Sequence, residues 1–342
     1  RHTRFRNVTG VQTCALPIFG TTNEESAFGA AHHPLDPARS PGGSSGGSAA
    51  SVLDGMCYAS IGTDTGGSIR IPSAACGLVG LKPGLGEIAT AGIVPLSGTL
   101  DHAGPLCLTV DDAEIVYDVL RGATPAPKSA GTPKGVTLAV LRGYFTSLLD
   151  SQVSASFDAL CDRLRDAGVA LIDAELPHAS DIAAIYLHIV LSEAAALHAR
   201  TLESRPDAYT PAVRLRLEMG RYLLGEDYAR ALRGRDLLRC EVETLLDSCD
   251  GLLLPTLPVP ATRLGAATVR VGTSDEPIRN ITLRLTQLFN LSGSPALTMP
   301  CGTTVEGLPI GGQLVGRSGQ TSDLLQLART LEPYFRPGGT SC

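Results

Sequence analysis

Two clusters of glycine and serine constrain the folding of this chain more than any other feature. Pro41-Gly42-Gly43-Ser44-Ser45-Gly46-Gly47-Ser48 and Gly62-Thr63-Asp64-Thr65-Gly66-Gly67-Ser68-Ile69-Arg70 both lie between apolar segments of a single stretch. A flexible linker of this composition belongs between domains, so the embedding calls for tight, buried backbone, which glycine permits because it has no Cβ. Neither cluster ends in the Gly-Lys-Ser/Thr of a phosphate loop, and neither fits G-x-G-x-x-G at a strand-to-helix turn. The remaining reading is a nucleophile with an oxyanion hole, in which the N–H groups of Thr65, Gly66, Gly67 and Ser68 converge where a carbonyl oxygen becomes negative.

Several function classes are excluded before any chemistry is assigned. The 342 residues, 43% hydrophobic and 18% charged, are ample for one large core. A formal charge of −6 without a long basic block lacks the footprint of a nucleic-acid or anionic-membrane binder. Nine scattered cysteines with no C-x-x-C pair speak against a zinc ribbon or a disulfide framework and fit reduced, cytoplasmic thiols. No apolar run is expected to reach the roughly 18 to 20 residues that span a bilayer. No cluster of His, Cys or carboxylates has ligand spacing, so neither metal nor cofactor is expected.

Along the chain, Arg1 to Ile18 shows no helical or strand period that continues into the rest of the sequence. Val8 to Ile18 resembles the in-frame translation of a sequencing adaptor, so the natural coding sequence is expected to continue upstream of Phe19. From Phe19 to about Gly122 the texture is that of tight turns and short buried strands. Val136 to Leu141 reads as a strand. Val153, Phe157, Leu160 and Leu164 then mark an amphipathic helix stopped by Gly168, and Val169 to Ile172 reads as the next strand. Ile182 to Leu246 is helical in pattern, broken at Pro206 and Pro211. Gly251 to Pro255, Ala296 to Met299 and Ile310 to Val315 suit core strands, and Ile281 to Asn290 and Leu324 to Leu331 suit helices. The expected organisation is a non-native segment 1–18, a domain 19–335 with a helical substrate-side region at about 181–246, and a tail 336–342.

A serine hydroxyl needs a base within hydrogen-bond reach to act as a nucleophile. Gly42-Gly43-Ser44-Ser45-Gly46 matches G-x-S-x-G literally, but that elbow must follow a strand, and Ala31 to Pro41 reads as loop. His102 is better read as a turn residue than as a catalytic base.

The two clusters, followed by Cys76-Gly77-Leu78-Val79-Gly80-Leu81-Lys82-Pro83, together resemble the amidase signature, with all three pieces in order. Asn290-Leu291-Ser292-Gly293-Ser294-Pro295-Ala296 and Gly307 to Val315 extend the likeness to the far end. The resemblance implies an α/β fold whose mixed central β-sheet is covered on both faces by α-helices. It implies Ser68 as nucleophile and Ser44, on a cis non-proline peptide bond, as the middle member of a Ser–Ser–Lys triad, with Thr65 to Ser68 as oxyanion hole. Asp64, Arg70 and Ser45 would brace the loop. The implied activity is hydrolysis of a carboxamide C–N bond through an acyl-enzyme, on a small-molecule amide and without a cofactor. A carbamate or urea-like substrate stays open, as does a role as the glutaminase subunit of a tRNA-dependent amidotransferase, and homodimerisation is undecided. The family's lysine lies upstream of the first cluster, but here no lysine precedes Ser44, and the only ones are Lys82, Lys128 and Lys134. The chain as it stands is therefore expected to be inactive or nearly so.

Overall fold

The structure is a computed structural model that describes residues 20–26, 28–126 and 128–336. Segment 1–18, and all of the 336–342 tail except Arg336, lie outside the described residues. An eight-stranded mixed sheet forms the centre. It is built from β1 (Ala59–Asp64), β2 (Val79–Lys82), β3 (His102–Cys107), β4 (Thr137–Leu141), β5 (Ala170–Ala174), β6 (Gly251–Pro255), β9 (Ala296–Thr303) and β10 (Pro309–Val315), in the order β1-β3-β2-β9-β10-β6-β4-β5. Pairing is antiparallel from β1 through β6 and parallel where β4 meets β6 and β5. A separate hairpin joins β7 (Thr268–Val271) to β8 (Ser274–Pro277).

Strand residues alternate between two cores, as a period of two requires for a sheet buried on both faces. Ala139, Leu141, Leu252 and Leu254 enter one cluster, whereas Leu138, Val140 and Leu253 enter the other. The first is roofed by α5 (Ile182–Ser204), α6 (Pro211–Gly220) and α7 (Gly225–Leu246). The second is roofed by α3 (Val110–Leu120), α4 (Ser151–Asp166) and α10 (Thr321–Phe335). The expected strand–helix–strand unit is β4, α4 and β5. Asp150 caps α4 by accepting from Gln152 N at 2.8 Å, and Gly168, at φ +91°, ends the turn after it.

Three expectations need correction. The glycine-rich stretch before Gly122 holds helices as well as turns: α1 (Gly46–Leu53), α2 (Arg70–Cys76) and α3. Composition hides the first, because glycine and serine are poor helix formers, and the second is a seven-residue helix with Pro72 in its first turn, too short to show a period. For α3 a signal was present: Thr109 accepts from Asp112 N at 3.1 Å while its hydroxyl donates to the Asp112 carboxylate. The expected helix Ile281 to Asn290 is two short ones, α8 (Ile278–Leu283) and α9 (Gln287–Leu291), parted at 284–286. Finally, Ala179–Ser204 is long and apolar enough to cross a membrane by length and composition. In this fold its Ile182, Tyr186, Ile189 and Val190 are buried in the helical cluster.

Candidate active site

The second glycine-serine cluster is the turn from β1 into α2. Its anchor is Asp64, the last residue of β1, which is fully buried with Arg70 at the start of α2. The Asp64 carboxylate accepts from Gly67 N at 2.8 Å, Ile69 N at 3.2 Å, Arg70 Nε at 3.0 Å and Asn290 Nδ2 at 2.8 Å. Arg70 in turn donates to Thr286 O at 3.0 Å, Gln313 Oε1 at 2.8 Å and Asn290 Oδ1 at 2.6 Å. Burial alone would raise the Asp64 pKa, but the charge and hydrogen bonds of Arg70, with help from Lys82 and Asn290, outweigh it and hold the carboxyl well below the usual carboxylate range. Asp64 and Arg70 thus lie where they brace the loop from beneath.

Above this network the loop is closely fitted. A Cβ on Gly67, whose φ is +139°, would run into the Thr286 side chain, and one on Gly66 would run into the Tyr186 hydroxyl. Thr286 Oγ1 donates to Gly66 O at 2.5 Å. Thr65 Oγ1 donates to Asp101 Oδ1 at 2.6 Å, and the other Asp101 oxygen accepts from Leu96 N and Ser97 N at 2.8 and 3.0 Å. Of the four expected oxyanion donors, Gly67 N is engaged by Asp64. Thr65, Gly66 and Ser68 make no N–H hydrogen bond among the described residues. Buried backbone donors are nearly always paired, and Thr65 and Gly66 are buried, so their N–H groups are donors in want of an acceptor.

The first cluster delivers Ser44 to the same place. The Gly43–Ser44 peptide bond is cis, as the resemblance implied. Gly43 has no room for a side chain, since a Cβ would lie 2.7 Å from Asn23 N. Ser45 N donates to Ser68 O at 3.2 Å, which ties the two clusters backbone to backbone next to Ser44. Ser44 is buried and Ser68 half-buried, and neither hydroxyl has a hydrogen bond among the described residues. Ser45 and Ser48 face the sheet instead. Ser45 Oγ accepts from Thr63 N and donates to Thr63 O, both at 3.2 Å, while Ser48 Oγ donates to Ile61 O at 3.0 Å. No strand precedes Ser44, so the elbow geometry is missing among the described residues.

The lysines stand elsewhere. Lys82 is fully buried and donates to Ser294 O at 2.7 Å and Pro83 O at 3.1 Å; Lys128 pairs with Glu114, and Lys134 is exposed. His102, read from sequence as a turn residue, opens β3 and is buried. Its Nδ1 lies 2.7 Å from Leu100 O, and its Nε2 has no hydrogen-bond partner among the described residues. Among the described residues no three His, Cys, Asp or Glu side chains gather as a metal ion would require. Sequence reasoning missed Tyr186, Thr286 and Asp101. Thr286 and Tyr186 stand more than a hundred residues from the loop they touch, and Asp101 carries no spacing that points to Thr65.

Comparison with known proteins matches residues 15–325 to a family described as Amidase. The chain is 38% identical over 343 residues to an amidase of Pseudomonas putida, covering 94% of this chain and 72% of that protein. It is 36% identical to the A subunit of a glutamyl-tRNA(Gln) amidotransferase from a Synechococcus species, covering 92% and 70%. A crystal structure of an amidase superposes with a TM-score of 0.88 at 35% identity, over 93% of this chain and 72% of that one.

Proposed function

The chain belongs to the amidase family, and from that premise we propose that it hydrolyses a carboxamide C–N bond with Ser68 as nucleophile. The observation that carries this reading is the trio of unpartnered N–H groups on Thr65, Gly66 and Ser68, tied by the Ser45–Ser68 backbone bond to a second unengaged serine hydroxyl, that of Ser44. Ser68 Oγ attacks the amide carbonyl while its proton passes to Ser44 Oγ, whose own proton passes to a base. The carbonyl oxygen, now negative, is held by the three N–H groups, each of which contributes about 3 to 4 kcal/mol where such donors have been removed in other enzymes. The C–N bond then breaks, the nitrogen leaves as ammonia or amine with the relayed proton, and water releases the carboxylate from Ser68.

The weak link is the base. None of the three lysines is available to Ser44, so Ser68 stays protonated and amide hydrolysis by these 342 residues is expected to be slow. An activated ester needs far less assistance and isolates the nucleophile. With p-nitrophenyl acetate we expect a stoichiometric burst and one acetyl group on Ser68 by mass spectrometry, lost in Ser68→Ala and slowed at least tenfold in Ser44→Ala. Acetylation elsewhere, or none, overturns the assignment. The similarity to amidotransferase A subunits supports a second reading, in which the ammonia passes to a partner. Ammonia release from glutamine alone among simple amides, once a base is supplied, favours it.

A further inference from the structure

Between β2 and β3, segment 95–101 forms neither helix nor strand, yet it is gripped from two sides. Its outer side is held by Glu193 of α5. The Glu193 Oε2 accepts from Ser97 Oγ at 2.5 Å and Thr99 N at 3.1 Å, and its Oε1 accepts from Thr99 Oγ1 at 2.7 Å. Tyr228 of α7 donates to the same Oε1 at 2.8 Å, so the carboxylate is fixed between two helices and the segment. Further along α5, His198 Nε2 lies 2.9 Å from Pro95 O, and its Nδ1 lies 2.9 Å from the Tyr209 hydroxyl. The inner side is held by Asp101, which folds the segment back through Leu96 N and Ser97 N and turns its other oxygen to the Thr65 hydroxyl. Ser97, fully buried, thus stands between two carboxylates, its N–H on Asp101 and its hydroxyl on Glu193. Hydrogen bonds to an ionised carboxylate are shorter and roughly twice as strong as neutral ones, so this chain of contacts is a stiff link from α5 to the oxyanion loop.

We propose that Glu193 is a positioning residue of the oxyanion loop, acting from α5 through Ser97 and Asp101 on the Thr65 hydroxyl. It touches no reacting atom. Its carboxylate fixes the shape of segment 95–101, the segment presents Asp101, and Asp101 holds Thr65 so that the main-chain N–H of that residue keeps its aim. Donors of this kind act by being in place before charge develops, and a small misplacement costs rate out of proportion to its size. Loosening Glu193 therefore slows formation of the tetrahedral intermediate more than it weakens binding of the substrate. The proposal deepens the amide-hydrolase reading and rests on it for this kinetic consequence, but not for the hold on the loop.

The p-nitrophenyl acetate burst, followed over a range of ester concentrations, separates the acylation rate from ester binding. Glu193→Ala removes the anchor, and Ser97→Ala removes only the hydroxyl that joins it to the segment, a change the fold tolerates more readily. Expected in each is acylation at least fivefold slower, with the apparent affinity for the ester within twofold of the wild type. Glu193→Gln keeps an acceptor oxygen and should recover part of the rate. Thr65→Val deletes the last link and should slow acylation to a similar degree; adding Ser97→Ala to it should slow it no further, because two changes on one path are not additive. Hydrogen exchange in a peptide covering residues 62–70 reads the hold itself, and should be faster in Ser97→Ala and in Thr65→Val than in the wild type. Wild-type acylation in both alanine variants, or losses that multiply in the double variant, overturn the proposal. A wild type without a burst overturns the reading of Ser68 instead; exchange then decides on the hold alone, and exchange unchanged in Ser97→Ala overturns that as well.

Discussion

At the residue scale the site depends on Asp64, which carries no chemistry of its own. A carboxylate that accepts from two backbone N–H groups of the oxyanion loop and faces a fully buried guanidinium fixes both the loop and the charge balance beneath it. Removing one partner of such a pair strands the other, at a cost of about 3 to 5 kcal/mol. Asp64→Asn should therefore destabilise the protein by about that free energy in urea titrations, because a neutral amide with one acceptor oxygen cannot serve Arg70 and both loop N–H groups together. A shift below about 1 kcal/mol would show that Asn290 and Gln313 carry Arg70 without Asp64. Thr65 is held in the same manner from the side, through Asp101, so the donors proposed to hold the oxyanion are set by residues outside the proposed machinery.

At the scale of elements, serine and glycine serve packing as often as chemistry. Edge strands present unpaired backbone groups that invite further pairing. Here β1 is an edge strand, and Ser45 and Ser48 of the first cluster answer Thr63 and Ile61 with hydroxyl groups. One face of the first cluster thus seals the sheet while the neighbouring Ser44 remains unengaged. In the helical roof, Gly220 ends α6 against α5, where a Cβ would fall on the Leu191 carbonyl oxygen and within 2.8 Å of the Ala195 methyl. Gly220→Ala should overpack this crossing and destabilise the protein by about 1 to 3 kcal/mol, read as a lower urea midpoint. Because α5 also carries Tyr186, the esterase burst should slow in the same variant at denaturant concentrations where the fold persists. An unchanged midpoint would mean that the α5–α6 contact yields without strain.

At the scale of the whole molecule, the buried polar layer makes stability depend on acid. Burial, reinforced by the charge of Lys82, holds the His102 imidazole down at about 3, although Asp64 and the Leu100 carbonyl pull the other way. The unfolded chain has an ordinary histidine near 6.5, so between the two values it binds the proton that the folded protein refuses. The contribution is complete above about pH 6.5 and drains away as pH falls towards 3, at up to about 1.4 kcal/mol per pH unit. Asp64, with its depressed pKa, adds a loss in stronger acid. Urea titrations from pH 7 to 4 should show this slope in the wild type and a shallower one in His102→Gln, whatever that variant does at pH 7. Parallel slopes would place the proton uptake elsewhere, with buried His33 the next residue to examine.

Much of this was legible before any coordinates. The period-two strands, the amphipathic α4 with its glycine stop, and the order of the glycine-serine clusters are local patterns. Sterics and hydrophobic burial act on them over a few residues, so the individual strands and helices could be read locally, while the mixed sheet with its two helical faces was expected from the resemblance that the clusters carry. The cis bond before Ser44 was likewise expected from the resemblance and is present. What the sequence could not decide is whatever depends on residues that meet only after folding. Nothing local makes Gly46–Leu53 a helix, says that Gly67 N is consumed by Asp64, or brings Thr286 and Tyr186 onto the loop from distant parts of the chain. Nor does composition show that Glu193 and Thr65 are joined through one short segment between β2 and β3. Those choices are made when close packing in the tertiary structure determines which polar groups find partners and which remain available for a ligand.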